Sequence, residues 1–185
     1  MDTAITQWIN GHTGQNDVLD AVMLAISSFG APLMVAFVVA LWWLGSPVRK
    51  VRYSCIAAIA SLLLGFVLAH ILLLLIPRIR PFDAGVTHLI VPLSPYRIFL
   101  SDHAIAATGI AFAFLLNRVV PIWTAILFVI VAWVCLARVY VGLHYASDMI
   151  NDIGVGLVAA FIVRAVYRPH TRLNNWLISR FSVPS

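Results

Sequence analysis

Arg138, His144 and Asp148 lie in one short polar segment between two strongly apolar stretches of the chain. If a helix starts near His144, Asp148 lies one turn further along the same face, because residues four apart are neighbours on an α-helix. A carboxylate there can accept the proton of one imidazole nitrogen and leave the other nitrogen free to attack an electrophile. A histidine and an aspartate that only cap a helix would have the same spacing. Other features of the sequence are therefore needed to distinguish a catalytic pair from a helix cap.

The composition is that of an integral membrane protein. Of 185 residues, 62% are hydrophobic and 10% are charged, and the mean hydropathy is +0.98, far from the values of a soluble domain. We predict a single domain, residues 1–185, that folds as an all-α bundle of about five transmembrane helices. The predicted spans are 18–44, 53–76, 101–116, 122–136 and 144–166. Before them, Ile5, Trp8 and Ile9 predict an amphipathic helix that lies in the membrane interface.

The charges fall into two classes, and this arrangement argues against nucleic-acid binding despite the net charge of +5. One class flanks the spans at alternate ends: Arg49, Lys50, Arg52, Arg118, Arg164, Arg168, Arg172 and Arg180. The other class lies at the opposite ends with all seven aspartates: Arg78, Arg80, Arg97 and Arg138. Under the positive-inside rule the first class marks the cytoplasm. The N-terminus and the polar segments are therefore predicted to face outward, and the C-terminus to be cytoplasmic.

A second polar stretch begins at Arg78 and Arg80 and ends at Ser101, Asp102 and His103. It is rich in proline, and non-helical backbone at membrane depth must lie against protein or water. We therefore expect this stretch to form the lid or the floor of a pocket. With five spans and an outer N-terminus, its two ends and the segment around His144 all lie on the same membrane face.

These residue types suit phosphoryl chemistry. Arginines bind phosphate in a forked, bidentate manner, and Ser101 at a helix N-terminus adds hydrogen bonds to an anion. One histidine can attack phosphorus while the other protonates the departing oxygen. No metal or cofactor is expected, because guanidinium groups supply the positive charge. A metal site formed by the two histidines with Asp102 and Asp148 is the alternative, and it is disfavoured because the arginines would repel a cation.

Three motifs together carry a family resemblance: Arg80-Pro81, Ser101-x-His103 and Arg138-x5-His144-x3-Asp148. They resemble the signature motifs of the type 2 phosphatidic acid phosphatase (PAP2) superfamily, which includes the vanadium haloperoxidases. The chain length, the Ser-Asp-His form of the second motif and the Val-Gly-Leu-His-Tyr form of the third further resemble the BcrC-type undecaprenyl pyrophosphate phosphatases of that family.

The resemblance implies a role for each motif residue. His144 would form a phosphohistidine, with Asp148 orienting it. His103 would protonate the leaving group and later activate water. The residues implied to hold the phosphate are Arg80, Arg138 and Ser101.

The chain departs from the family pattern at several positions. Leu73 stands where the first motif has a lysine, and Arg78 is the candidate to replace that positive charge. Leu100 replaces a proline and Ala137 replaces a serine. Asp102 stands where many members have glycine, and it adds a negative charge beside the phosphate site.

The resemblance implies dephosphorylation of undecaprenyl pyrophosphate to undecaprenyl phosphate at the outer face of the bacterial inner membrane, which recycles a lipid carrier for envelope synthesis. Two alternatives remain open. One is a broader lipid phosphatase that acts on phosphatidylglycerol phosphate or phosphatidate, and the other is a non-catalytic lipid-binding or transport protein. The expected partners are a polyprenyl pyrophosphate substrate and membrane lipids, without nucleic acid, and the oligomeric state stays open.

The predicted sidedness can be tested by labelling. Single cysteines introduced near His88 should react with a membrane-impermeant thiol reagent in intact cells, whereas cysteines near Arg118 should not, because the bilayer separates the two positions. Labelling in the opposite pattern would place the polar segments in the cytoplasm and remove the envelope-recycling interpretation.

Overall fold

The computed structural model describes residues 1–44, 48–76, 78–91, 102–168, 171, 172, 176 and 178, apart from the side chains of Val48 and Asp102. Within these residues the chain forms six α-helices: α1 Asp2–Asn10, α2 Asp17–Leu44, α3 Val48–Leu75, α4 Asp102–Leu116, α5 Pro121–Tyr140 and α6 Ala146–Val166. The described part of the chain contains no β-strand. The all-α prediction is confirmed.

The short helix α4 occupies the centre of the bundle. It packs along both α3 and α6 and also contacts α5 and α2, and every residue from 104 to 111 is buried. Its 15 residues extend about 22 Å, less than the roughly 30 Å of a hydrocarbon core. The helices α2, α3, α5 and α6 are each long and apolar enough to cross a membrane. Of the five predicted spans, four are therefore long helices, and the fifth, α4, is a shorter helix that is buried among them.

Two helix ends near His144 differ from the predicted spans. Helix α5 continues to Tyr140, four residues beyond the predicted end at 136, so Arg138 lies in its last turn. Helix α6 begins at Ala146, two residues after His144. The reason is Gly142, whose φ of +85° breaks the helical path between them. His144 therefore lies in a connecting segment, and Asp148 is the third residue of α6.

Helix α1 is amphipathic as predicted, but it buries its polar face. Thr6 and Asn10 are buried, and Asp2 shares their face because it lies four residues before Thr6. On the other side, Ile5 and Trp8 are 50% and 71% exposed. This polarity is explained by what α1 packs on. Its polar residues bond the backbone at the start of α6 and at the end of α5, while Ile9 packs against the apolar core.

Glycines let the helices around α4 approach closely. A Cβ at Gly109 of α4 would lie 3.3 Å from the backbone of Ser61 in α3, and a Cβ at Gly156 of α6 would lie 2.8 Å from the backbone nitrogen of Gly109. Gly154, on another side of α6, has nothing within 4 Å of its Cβ position. The close contact between α4 and α6 therefore depends on Gly156 and not on Gly154.

We predict that Gly156→Ala lowers the free energy of unfolding by about 1–3 kcal/mol, the usual cost of overpacking, because the new methyl group meets the α4 backbone. Gly154→Ala is the matched control and should not destabilise, since alanine favours a helix over glycine by about 1 kcal/mol. Thermal unfolding of both variants in detergent measures the difference. Equal stability of the two variants would contradict this account of the packing.

Candidate active site

The segment that carries His144 is held by the loop that carries Arg80. The hydroxyl of Thr87 donates to the carbonyl of Gly142 at 2.9 Å. A Cβ at Gly142 would lie 2.6 Å from the carbonyl oxygen of His88, so glycine permits both the positive φ and the close contact between the two backbones. These contacts bring two segments more than 50 residues apart in the sequence together at one end of the bundle.

The Arg80 loop is itself fixed by a turn. The carbonyl of Arg80 accepts from the amide of Ala84 at 3.0 Å, and the carbonyl of Pro81 accepts from the amide of Val86 at 2.8 Å. Pro81 is buried, and its ring restricts the backbone beside Arg80. The Arg-Pro pair therefore places the guanidinium group from a locally rigid backbone.

The imidazole of His144 is buried between two guanidinium groups. Its side chain is 3% exposed. A terminal nitrogen (Nη1) of Arg80 lies 2.5 Å from Nδ1 of the ring and 3.2 Å from Nε2, and a terminal nitrogen (Nη2) of Arg138 lies 3.2 Å from Nε2. A guanidinium group can only donate, whereas a neutral imidazole has one acceptor nitrogen and an imidazolium has none. The surroundings of the ring therefore oppose its protonation.

The electrostatics of the site act in the same direction. Burial, together with the charges of Arg138 and Arg80, lowers the pKa of His144 to about 3, although the Asp148 carboxylate acts in the opposite sense. The ring is then neutral near pH 7, because the proton is bound only well below that value. A neutral imidazole is the form that can act as a nucleophile.

The Asp148 carboxylate lies on the Nδ1 side of the ring. Its Oδ2 is 3.7 Å from Nδ1 of His144 and accepts a hydrogen bond from the amide of Tyr145 at 2.9 Å. The distance to Nδ1 suits an ion pair and is too long for a hydrogen bond. A shift of less than 1 Å would join the two groups, so the arrangement can stabilise a positive charge that forms on the ring during a reaction.

Helix α2 positions His103 through a proline. Pro32 lies inside α2 and has no N–H to donate to the carbonyl of Ser28, four residues earlier. The ring Nε2 of His103 lies 3.3 Å from that carbonyl oxygen. A carbonyl only accepts, so Nε2 is the donor and carries the hydrogen of the neutral ring. The proline thus leaves an acceptor that selects one tautomer of His103.

The structure brings together four of the residues singled out in the sequence: Arg80, Arg138, His144 and Asp148. Arg78 lies next to them but contacts Asp148 and not the imidazole. The backbone of Asp102 begins α4, but its side chain and the whole of Ser101 lie outside the described residues. Their roles in phosphate binding stay predictions.

Sequence reasoning missed the contribution of α1. The amide of Asn10 bonds three backbone groups: it donates to the carbonyls of His88 at 2.9 Å and Tyr140 at 2.8 Å, and it accepts from the amide of His88 at 2.7 Å. Asn10 thereby joins the Arg80 loop to the end of α5. Asp2, Thr6 and Asn10 at intervals of four residues form a polar stripe, and that stripe was the available signal.

A model of the PAP2 superfamily matches residues 54–172 of this chain. The chain belongs to the PAP2 superfamily. The matched region contains the motifs from Arg80 to Asp148 on which the resemblance rested. The protein is therefore a multi-pass membrane phosphatase of this family, and four helices within the described part of the chain are able to span the bilayer.

Two bacterial PAP2 relatives are similar over most of their length. "Undecaprenyl-diphosphatase BcrC" of Bacillus subtilis (strain 168) is 27% identical over 164 residues, which cover 88% of this chain and 82% of the relative. "Putative undecaprenyl-diphosphatase YbjG" of Escherichia coli (strain K12) is 25% identical over 173 residues, which cover 89% of this chain and 83% of the relative.

Two crystal structures share the PAP2 fold of this chain. LpxE of Aquifex aeolicus superposes with a TM-score of 0.67 at 22% identity, covering 88% of this chain and 93% of that one. The transmembrane PAP2-type phosphatidylglycerolphosphate phosphatase of Bacillus subtilis superposes with a TM-score of 0.64 at 22% identity, covering 92% of this chain and 86% of that one. These likenesses establish the arrangement of the helices.

The role of Pro32 can be tested by replacing it. Pro32→Ala introduces an N–H that competes with His103 for the Ser28 carbonyl. We expect phosphate release to fall about tenfold or more, because a misplaced His103 loses part of the rate enhancement that general acid–base catalysis supplies. The stability of α2 should not fall, because a proline inside a helix costs about 3 kcal/mol. Phosphate release at saturating substrate and thermal unfolding measure the two effects.

Pro121→Ala is the matched control, since Pro121 lies at the start of α5, where a missing N–H has no intrahelical acceptor. It should leave the turnover unchanged. Full activity of Pro32→Ala, or an equal loss in both variants, would contradict the proposed positioning of His103.

Proposed function

We propose that this protein removes the terminal phosphate of undecaprenyl pyrophosphate at the outer face of the bacterial inner membrane, which regenerates the lipid carrier undecaprenyl phosphate. The observation that carries the proposal is the neutral, buried imidazole of His144 between two guanidinium groups with a carboxylate behind it. The substrate class is supported by the two relatives whose names are those of undecaprenyl-diphosphatases.

In the proposed first step, the terminal phosphate lies between Arg80 and Arg138, whose N–H groups turn from the imidazole to the phosphate oxygens. The Nε2 of His144 attacks phosphorus, so that a P–N bond forms and the P–O bond to the lipid phosphate breaks. Nε2 is assigned because Asp148 lies on the Nδ1 side. Once Arg80 has turned to the phosphate, Nδ1 carries the hydrogen of the neutral ring toward this carboxylate, which balances the charge of the phosphorylated ring. His103 enters this step as the imidazolium and gives its Nδ1 proton to the departing lipid phosphate oxygen, which leaves the neutral ring with its hydrogen on Nε2.

In the second step, His103 takes a proton from water, the water oxygen attacks phosphorus, and the P–N bond breaks. Inorganic phosphate leaves and the imidazole of His144 is restored. The guanidinium groups stabilise the negative charge on the phosphoryl oxygens in both transition states. Ser101 and Asp102 are proposed to complete the phosphate site at the N-terminus of α4, where an anion is favoured.

The distribution of charge supports an outward-facing site. α1, the Arg80 loop and the start of α6 lie at the end of the bundle that carries the aspartates, whereas the basic residues Arg49, Lys50 and Arg118 lie at the other end. That end is the cytoplasmic one by the positive-inside rule. A site at the outer interface suits a substrate with a charged head and a long apolar tail, because the tail stays in the bilayer while the head reaches the arginines.

The function is tested with purified protein in detergent with chelator present, by comparing phosphate release from undecaprenyl pyrophosphate, phosphatidylglycerol phosphate and phosphatidate. We expect fast phosphate release from the pyrophosphate. The His144→Ala variant should reduce this release to the background rate, because the nucleophile is lost. His70→Ala is the matched control. His70 is exposed on α3 and bonds only within its own helix in the described contacts, to the carbonyl of Phe66, so its loss should leave turnover unchanged.

Other results have definite meanings. Equal turnover of all three lipids would favour a general lipid phosphatase. Tight binding of the lipids without release by the unmutated protein would favour the non-catalytic lipid-binding alternative. A folded His144→Ala variant with normal turnover would contradict the mechanism.

A further inference from the structure

Arg78 joins three parts of the molecule beside the active site. One terminal nitrogen (Nη1) donates to Oδ1 of Asp148 at 2.5 Å and to the hydroxyl of Ser147 at 2.8 Å, and the other (Nη2) donates to Oδ2 of Asp2 at 2.7 Å. Its guanidinium carbon also lies 4.2 Å from the centre of the Tyr145 ring, a cation–π distance. One side chain therefore links α1, the His144 segment and the first turn of α6.

Helix α1 holds the start of α6 directly as well. Asp2 accepts from the Ser147 amide through Oδ1 at 3.0 Å and from the Ser147 hydroxyl through Oδ2 at 2.6 Å. The hydroxyl of Thr6 accepts from the Ala146 amide at 3.0 Å. The first amides of a helix have no partner within it, so α1 caps α6 from another part of the chain.

The charges of this cluster favour its ionised form. Burial would raise the pKa of Asp2, but hydrogen bonds from Ser147 and Arg78 and the charge of Arg78 outweigh it and lower that pKa. Asp2 and Asp148 both lie at the N-terminus of α6, where the helix dipole favours negative charge. Arg78 lies between the two carboxylates and prevents their mutual repulsion.

The consequence concerns the orientation of Asp148. Its Oδ1 is held by Arg78 and its Oδ2 by the Tyr145 amide, so the plane of the carboxylate facing His144 is fixed at both oxygens. We propose that Asp2 and Arg78 are positioning residues for the reaction at His144, acting through Asp148. This proposal rests on the proposed phosphatase function.

The same contacts argue against Arg78 as a phosphate ligand. Both of its terminal nitrogens donate to carboxylates, and its charge is already balanced by two acids. Arg80 and Arg138, in contrast, point at the imidazole where the phosphate would react. Leu73 stands where the family motif has a lysine, and Arg78 was the candidate to replace that charge. In this proposal Arg78 holds the Asp148 carboxylate and does not bind the phosphate.

Asp2→Asn and Arg78→Ala test the proposal in the full-length protein. We expect each to lower kcat about ten- to a hundredfold, the loss expected when a reacting group is misplaced, with KM and the inhibition constant of inorganic phosphate changed less than about twofold. The double variant should be no slower than Arg78→Ala, because both residues act through one link. Arg78→Lys should recover only part of the rate, since lysine cannot fork between two acids.

Asp17→Asn is the matched control, because Asp17 is an exposed acid in the first turn of α2. It should leave kcat unchanged. The proposal is overturned if Arg78→Ala raises KM and the inhibition constant of phosphate while kcat is kept, which is the behaviour of a phosphate ligand. It is also overturned if Asp2→Asn has the full kcat.

Thermal unfolding separates this proposal from the proposed function. The loss of Tm in the Asp2→Asn/Arg78→Ala variant should be smaller than the sum of the two single losses, because they remove the same contact, and this needs no substrate. Additive losses would show that the link does not form. If the unmutated protein turns over no lipid, the proposed function and the catalytic part of this inference both fail, and the coupling in Tm alone decides whether the link exists.

Discussion

One imidazole must stay neutral while it is buried beside two guanidinium groups, and the rest of the site depends on this constraint. Arg80 and Arg138 keep His144 unprotonated, and they also require negative charge nearby when the ring becomes positive in the proposed reaction. Asp148 supplies that charge, Arg78 balances Asp148, and Asp2 balances Arg78. Asp148, Arg78 and Asp2 therefore alternate in sign from the imidazole outward to α1, so each of these three charges has an opposite neighbour, as partly buried charges require.

A few backbone features of the helix bundle position these charged groups and the imidazole. Gly142 allows the chain to leave α5 and return into α6 within five residues, which places His144 in the connecting segment. Pro32 leaves a carbonyl of α2 available to His103. Glycine contacts between α3, α4 and α6 let the short α4 stay buried in the centre. The groups of the candidate site thus come from a loop and from helix ends at one end of the bundle, and the apolar helix bodies fix their spacing.

The sequence predicted most of the fold and the residues around His144, because membrane spans and the Arg138, His144 and Asp148 spacing are local patterns. It did not predict the start of α6 at Ala146, which depends on the contact of Gly142 with the backbone of His88. Nor did it predict that Arg78 contacts Asp148 70 residues away and Asp2 76 residues away. Helix α1 was interpreted from its apolar residues, while its function in the site lies in Asp2, Thr6 and Asn10 on the other face. The polar stripe marks that face of α1, but the distant residues that it contacts leave no local pattern in the sequence.

The central claim is that His144 is the nucleophile. It is tested most directly by mixing the purified protein with undecaprenyl pyrophosphate that is radiolabelled in its terminal phosphate, stopping the reaction within one turnover, and locating the label after proteolysis. The account predicts a transient label on the peptide that contains His144, stable in base and lost in acid, as a phosphoramidate is. Release of labelled phosphate at the full rate with no labelled protein at any time, or a label on another residue, would contradict it.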